Sequence, residues 1–332
     1  MTRARVTIVG LGLVGASIGL AVRKSRPEVE VVGHDASNDA TRRAQKLGAI
    51  EKSEWNLINA CERADVLVLA TPAQAVREIM KVAGPYMQNV RVVTDTAGSK
   101  QQVLAWADEL LPGVPFVGGD PMVGSLDGAS APRADLFQGV TYCLCPSTST
   151  SHEAVNLVVG FTELLGAQPF FVDPAEHDGL VSVADHLSFV LSTALLRMVA
   201  AGNAPSKITA DLHRMLGPTF RRTSAYSSED PKTYRDLCLT NRDAIVRSIG
   251  ELRVSLDELS ALVQEGDEKK LETLFNDSYT TREAASRTYR DPDQEAQSDA
   301  MRGPNAFGLT DLLMGRRLSQ ARGKPGDPKK GK

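Results

Sequence analysis

Three glycines and one acid carry the first legible chemistry of this chain. Gly10, Gly12 and Gly15 stand in G-x-G-x-x-G order between the apolar run Val6-Thr-Ile-Val9 and a segment whose residues continue in helical spacing. In that order the first glycine permits a tight turn, the second lets a pyrophosphate approach the backbone, and the third lets helix and strand pack closely. The anion would rest on the unpaired N–H groups of a helix start at Leu13 and Val14. Glycine turns of this kind also serve packing alone. Here a second strand, running from Val29 to His34, ends in Asp35 about twenty residues on, which is the context that the dinucleotide reading requires. A carboxylate there accepts two hydrogen bonds from a ribose diol and repels a 2′-phosphate, which argues for NAD over NADP. Arg42 and Arg43 fall a turn or two into the next helix and read as solvated charge rather than a phosphate clamp.

The elements that must position this turn alternate along the first half. Helical patterns over 38–47, near Trp55, and over 73–84 and 101–111 separate strand patterns over 65–70, 91–95 and 115–118. Strands alternating with helices predict a parallel sheet covered on both faces. Its C-terminal edge collects Thr71 and Pro72, the segment from Asp95 to Lys100, and the glycine-rich stretch from Gly118 to Ser125 that contains Asp120. Strands over 141–144 and 169–172, separated by a helix over 151–165, complete this half. From Ala175 onward strand signals cease. Helical segments over 180–201, 206–216, 231–262 with a break, and 268–287 predict an all-helical second domain. The expected fold class is thus an α/β Rossmann domain with a mostly parallel, doubly wound sheet over 1–173 and an all-α substrate and dimerisation domain over 174–288. A polar, mobile tail is expected over 289–332, within which 306–317 offers one short docked helix. Leu187, Val190, Leu191 and Leu195 form an apolar face that a lone small domain does not hide, which predicts an isologous homodimer.

Composition narrows the class of partner. The 332 residues suit two domains, and the net charge of −3, with basic residues dispersed except at the extreme C-terminus, gives no reason to expect a nucleic acid. Cys61, Cys143, Cys145 and Cys238 have neither CxxC nor metal-ligand spacing, so no metal is expected and buried free thiols are. The first strand begins within a few residues of Met1, so no secretory signal is read and the cytoplasm is the expected compartment. The apolar run 180–201 carries Asp185, His186 and Arg197, which favours a buried helix over a membrane span.

With these residues in view, the chain resembles the prephenate and arogenate dehydrogenases of tyrosine biosynthesis over roughly Val6 to Arg287. The resemblance rests on G-L-G-L-V-G-A-S, G-G-D-P-M-V-G-S, A-D-L-F-Q-G, H-D-G-L-V-S-V-A-D-H-L and S-S-E-D-P with its downstream N-R, in that order. It implies oxidative decarboxylation of a small cyclohexadienol with NAD(P): the C4–H leaves as hydride, the C4–OH loses a proton, and loss of CO2 aromatises the ring.

Several positions depart from the family pattern. The histidine of H-P-M-A-G, which hydrogen-bonds the reacting hydroxyl, is Asp120 here, a carboxylate that can also accept a proton but adds negative charge beside a dianionic substrate. D-V-G-S-x-K becomes Asp95-Thr-Ala-Gly-Ser-Lys100, which moves the serine to Ser99. His186 matches the first histidine of S-H-L-P-H, while Asp185, Ser188 and Phe189 replace its neighbours. The arginine of T-R-I-A falls on Ala225, with Arg221 and Arg222 just before it.

The resemblance therefore implies Asp120, Ser99 and His186 as catalytic candidates and Lys100, Ser125, Arg221 and Arg222 as substrate-binding ones. Gly10, Gly12, Leu13, Val14, Gly15, Asp35, Thr71 and Pro72 would hold the cofactor. Taken without it, His186 reads as a satisfied core histidine, Asp120 as a turn former before Pro121, Arg221 and Arg222 as surface charge, and His177 as a helix cap beside Asp178. Two other functions stay open on the sequence: an NAD-dependent dehydrogenase of another small carboxylated substrate, and a dinucleotide-binding homologue without turnover.

Overall fold

A computed structural model of the chain describes residues 3–123, 131–147, 150–200, 211–212, 214–225 and 230–288. The first half opens with β1 (Arg5–Val9), α1 (Leu13–Ser25), β2 (Glu30–His34), α2 (Asn38–Lys46), β3 (Lys52–Ser53) and α3 (Leu57–Glu62). It continues through β4 (Val66–Leu69), α4 (Ala73–Ala83), β5 (Val92–Asp95), α5 (Gln101–Leu110), β6 (Phe116–Pro121), β7 (Thr141–Pro146), α6 (His152–Leu164) and β8 (Gln168–Phe171). All eight strands join one sheet in the order β3-β2-β1-β4-β5-β6-β7-β8. Six of them, β1 to β6, run parallel, and β7 turns antiparallel against β6.

The central strands are buried on both faces because their side chains alternate between two apolar layers. Val66 and Val68 of β4 join the layer beneath α1 and α6, whereas Leu67 and Leu69 join the one beneath α4 and α5. Local chemistry sets the helix starts. Ser37, Asn56 and Ser151 each accept a backbone N–H from the residue three positions on. The α5 helix lacks such a cap of its own.

The pairing of β6 with β7 revises one reading of the sequence. The strand extends to Pro121, and Asp120 lies within it opposite Cys143, not in a glycine-rich loop. A parallel sheet gives no reason to expect that extension; it arises because β7 returns alongside β6 over the full register from Val117↔Pro146 to Pro121↔Tyr142.

The helical half begins earlier than the periodicity indicates. The α7 helix (Pro174–Val181), a π-helical turn (Ser182–His186) and α8 (Leu187–Ala200) run on as one helix. Then come α9 (Pro218–Thr223), α10 (Pro231–Thr240), α11 (Arg242–Glu265) and α12 (Glu268–Thr288). The break expected within 231–262 falls at Asn241, and Gly266, at φ 67°, ends α11 in the left-handed conformation that glycine tolerates. Most of the helix expected over 206–216, and the whole of 289–332, lie outside the described residues.

The helix Pro174–Ala200 is long and apolar enough to cross a membrane by length and composition. One face buries His177, Asp178, Ser182 and His186 against the rest of the protein, while Leu180, Val183, Leu191, Leu196 and Met198 are exposed. The expectation of a buried helix therefore holds for that one face. Cys61, Cys143 and Cys145 are buried free thiols as expected, but Cys238 is exposed.

Beneath the sheet edge, β5, α5 and β6 are joined by a fully buried ion pair. Lys100 Nζ lies 2.6 Å from Asp95 Oδ2 and donates to the Gly119 carbonyl at 2.6 Å, with both side chains at 0% exposure. Asp95 also accepts the N–H groups of Ala97 (2.9 Å) and Gly119 (3.0 Å). Removing one partner strands a buried charge. Lys100→Met is accordingly expected to lower the unfolding free energy by about 3–5 kcal/mol, with Asp95→Asn in the same chain restoring part of the loss. Urea-melting midpoints of the single and double variants would test this, and an unchanged midpoint for Lys100→Met would refute it.

Candidate active site

The glycine turn shows what each of its positions does. Gly10 has φ 96°, and a Cβ there would stand 2.2 Å from the Ala70 carbonyl oxygen. A Cβ on Gly15 would stand 1.9 Å from the Gly10 oxygen, so helix and turn are in direct contact. Gly12 differs, because a Cβ there would meet nothing within 4 Å. The space before the α1 N-terminus is thus open. Ala16 N–H is bonded to the Gly12 carbonyl at 3.0 Å, which leaves the preceding amides of Leu13, Val14 and Gly15 as the unpaired first turn of α1.

Asp35 flanks this opening. Its Oδ2 accepts Leu11 N–H and its Oδ1 accepts Ser37 N–H, both at 2.7 Å, which fixes the carboxylate beside the turn. Thr71 and Pro72 follow β4 at the same sheet edge, Pro72 as the residue before α4. Open space at Gly12, aligned amides and a backbone-held acid fit a dinucleotide whose ribose presents a free diol. Arg42 is exposed and ion-paired with Asp39 on α2, in keeping with its reading as helix-surface charge.

Further along the same edge, the buried ion pair grips the residue before Asp120. Gly119 gives its N–H to Asp95 and its carbonyl to Lys100. A Cβ at Gly119 would stand 2.7 Å from the Asp95 backbone carbonyl oxygen and 2.9 Å from the Tyr142 ring, so only glycine fits. Asp120, 8% exposed, then faces His177: Oδ2 lies 3.2 Å from Nε2. On the other side of the ring, Nδ1 lies 2.9 Å from Asp178 Oδ1. Asp178 in turn accepts Lys100 N–H at 2.7 Å and Gln101 N–H at 3.1 Å, which supplies from the helical half the cap that α5 lacks.

Two expectations change here. Lys100 does not present a cation to a substrate carboxylate, because its ammonium is enclosed between Asp95 and Gly119 and serves to hold β6. His177 is no cap, since Asp173 caps α7 by accepting the N–H groups of Ala175 and Glu176. His177 is instead buried, 1% exposed, between two carboxylates. Burial opposes charge on its ring, but hydrogen bonds to Asp120, Asp178 and Cys143 outweigh burial and push its pKa up to about 10. Burial also raises the Asp120 carboxyl, against the pull of His177 and Lys100.

The remaining candidates divide. Ser99 is fully buried, and its hydroxyl donates to Thr240 Oγ1 at 2.8 Å, which donates on to the Asp236 carbonyl at 2.8 Å; its proton is committed to the seam between the two halves. His186 is also buried. Asn241 Nδ2 donates to the Asp178 carbonyl at 2.8 Å and faces His186 Nδ1 at 3.3 Å, so Nδ1 accepts and Nε2 carries the ring proton. No well-formed hydrogen bond reaches that Nε2 among the described residues, but the Gly98 backbone faces it and favours its proton, and it lies 3.5 Å from where a Cβ on Gly98 would stand. Burial is the chief cause that pushes the His186 pKa down to about 4, with Asp178 opposing. A neutral donor is thus held at the Gly98 turn.

Phe189 packs on Tyr234, with ring centroids 4.6 Å apart, and walls the same region. Arg221 and Arg222 are exposed on α9, and no hydrogen bond or ion pair among the described residues ties them to the Asp120 cluster. Ser125 lies outside the described residues.

Sequence reasoning missed His177 as part of this site, together with Asp178 and Asn241. The signal was present in H-D-G-L-V-S and the N-R pair, but 57 residues separate His177 from Asp120. Adjacent to a helix start, a histidine and an acid look like capping residues; only the docking of α7 on the sheet edge shows otherwise.

Comparison with known proteins matches this geometry to a family. The model of the prephenate dehydrogenase nucleotide-binding domain matches residues 18–170, and that of the prephenate dehydrogenase dimerization domain matches residues 173–277. Prephenate dehydrogenase of Bacillus subtilis is 30% identical over 275 residues, which cover 81% of this chain and 73% of that protein. Cyclohexadienyl dehydrogenase of Zymomonas mobilis is 25% identical over 278 residues, 83% of this chain and 94% of that protein. Among solved structures, A. aeolicus prephenate dehydrogenase in complex with hydroxyphenyl propionate and NAD+ superposes with a TM-score of 0.78 at 24% identity, covering 86% of this chain and 99% of that one. Synechocystis arogenate dehydrogenase gives 0.68 at 25% identity over 85% and 99%.

The state of His186 has a consequence for stability. Its folded pKa lies below the ordinary histidine value, so the unfolded chain binds a proton there that the folded chain does not. The contribution is present above the unfolded pKa of about 6.5, is lost as pH falls toward about 4, and levels off below it. Replacing His186 by Asn is expected to flatten the decline in melting temperature between those values. An identical slope in variant and wild type would show that His186 is protonated in the fold.

Proposed function

Because the chain belongs to the prephenate dehydrogenase family, we propose that its sheet edge carries out NAD-dependent oxidative decarboxylation of prephenate or arogenate, with Asp120 in the place of the proton-accepting group. The observation that carries this reading is the position of Asp120. It lies near the C-terminal end of a strand running parallel to β1 and so shares the edge with the Gly12 opening, and Gly119 and His177 hold it on either side.

The roles follow from charge and connectivity. Bound NAD+ supplies the hydride acceptor. As the C4–H departs with its electron pair, the C4–O bond gains carbonyl character and its hydroxyl proton moves toward Asp120. Loss of CO2 leaves its bonding pair in the ring, which aromatises and returns a pair to the C4 oxygen. That oxygen then takes the proton back as a phenol. Asp120 therefore borrows a proton and gives it back. His186, neutral with a donor N–H at the Gly98 turn, suits an acceptor oxygen of the substrate. Asp35, fixed beside the turn, favours NAD over NADP because its carboxylate accepts from a ribose diol and repels a 2′-phosphate.

The helical half is read as the surface of a homodimer. Leu191, Leu196 and Met198 of α8, Val246, Val254, Leu256 and Val263 of α11, and Phe275 of α12 are exposed, a large apolar area for a single chain. This supports two copies joined through these helices, working as a soluble cytoplasmic enzyme on a small molecule, with no nucleic-acid or membrane partner. Sedimentation at micromolar concentration is expected to show a dimer, and a stable monomer would overturn this part of the reading.

Activity is tested by following NAD reduction with prephenate and arogenate side by side. Turnover of at least one is expected. Asp120→Asn is expected to lower kcat on the order of a hundred- to ten-thousand-fold while NAD affinity stays nearly unchanged. Absence of turnover with both substrates, in protein that still binds NAD, would refute the reading in favour of another small carboxylated substrate or a non-catalytic role.

A further inference from the structure

We propose that His177 is a positioning residue that works as a buried imidazolium, holding Asp120 ionised and aimed so that a carboxylate can replace a histidine as proton acceptor beside a dianionic substrate. This rests on the reading of Asp120 given above.

The proton count leads to it. Asp178 accepts from Lys100 N–H, Gln101 N–H and His177 Nδ1 at the N-terminus of α5, so its carboxylate is an acceptor throughout. His177 Nδ1 must therefore carry a proton. At Nε2, the 3.2 Å contact with Asp120 Oδ2 is a hydrogen bond only if one proton lies on it, from the ring or from the carboxyl. With that proton on the ring, Asp120 is a base and the pair is neutral as a unit. A neutral pair adds no net charge beside a substrate that already carries two, which a lone aspartate at this strand position would do.

The surroundings favour the ring as the holder. The groups around His177 are Asp120 on β6, Asp178 on its own helix and Cys143 on β7. The Lys100–Asp95 pair acts on Asp120 from α5 and β5, Tyr142 stands near it on β7, and the neutral His186 lies one helical stretch along. Two carboxylates contact the imidazole directly, and Lys100, the other cation that acts on Asp120, is already paired with Asp95. The arrangement reverses the usual order of a histidine–carboxylate couple: the acid meets the substrate and the imidazole stands behind it.

Two measurements test this. With 15N-labelled histidine, the wild-type protein is expected to show one imidazolium, both nitrogens protonated, at pH 8, where an ordinary histidine is neutral. Its absence would overturn the proposal, and the measurement needs neither turnover nor a variant. In kinetics, His177→Gln keeps a donor and removes the cation. A nearby opposite charge lowers a carboxyl pKa by about 1–3, so the acidic limb of kcat/KM is expected about one to three pH units higher in the variant, with activity recovering as pH rises. A lowered rate with an unmoved limb would mean that His177 only supports the fold and would refute the proposal while leaving Asp120 as the acceptor. If neither substrate turns over in the wild type, the reading of Asp120 fails, and the labelled spectrum still decides the charge on His177.

Discussion

The buried pair of Lys100 and Asp95 is the constraint on which the site depends. Neither side chain touches solvent, so each charge is tolerable only because the other is present and because backbone groups of Ala97 and Gly119 complete the coordination. The ammonium holds the Gly119 carbonyl and the carboxylate holds the Gly119 N–H, which sets the last residues of β6 with little freedom to rotate. Asp120 inherits its direction from that grip. A pair of this kind adds little to net stability compared with well-packed apolar residues, and its value here is geometric.

The same logic explains why the two halves of the chain meet where they do. The α5 helix begins directly after Lys100, and its first amides are satisfied by Asp178 of α7. Ser99 reaches Thr240 of α10, Ser182 reaches Ser248 of α11 at 2.7 Å, and Asn241, between α10 and α11, binds both the Asp178 carbonyl and His186. The bonds of Ser99, Lys100 and Gln101 satisfy buried polar groups of the sheet half with partners from the helical half, and those of Ser182 and Asn241 lock α7 and the turn after it to the rest of the helical half behind them. The seam is therefore specific in register, and sliding one half past the other would leave several donors unpaired in a dry interior.

Much of the fold was legible in the chain itself, and the reasons are physical. The G-x-G-x-x-G turn and the double-faced apolar strands leave few alternatives, since Gly10 and Gly15 lie against backbone atoms and the alternation in β4 feeds two separate apolar layers. The limits of α2, α4, α5 and α6 fell within a residue or so, with serines marking the starts of α2 and α6 and Gly84 the end of α4; α3, read only as a helical stretch near Trp55, runs over Leu57–Glu62. The site was less legible. Asp120 was recognised by its place in a motif, but its inclusion in β6 depends on β7 pairing back antiparallel, which no local pattern announces. Lys100 was read as a ligand cation because a carboxylated substrate needs one, whereas its partner Asp95 lies only five residues away, in β5. His177 was concealed by distance along the chain. Periodicity reports which face of a helix is apolar, not what the polar face meets.

That α5 is capped by a residue from the other half also bears on the order in which the molecule can be built. As the chain emerges during synthesis, the sheet through β6 has most of its apolar partners at hand, but the first amides of α5 still lack Asp178. Ser99 lacks Thr240 until a further 141 residues have followed. The sheet edge is thus unfinished as a catalytic surface until α10 and Asn241 have arrived. Assembly of the site and completion of folding are the same event, so a nascent or truncated first half would hold the nucleotide turn without the chemistry that the turn serves.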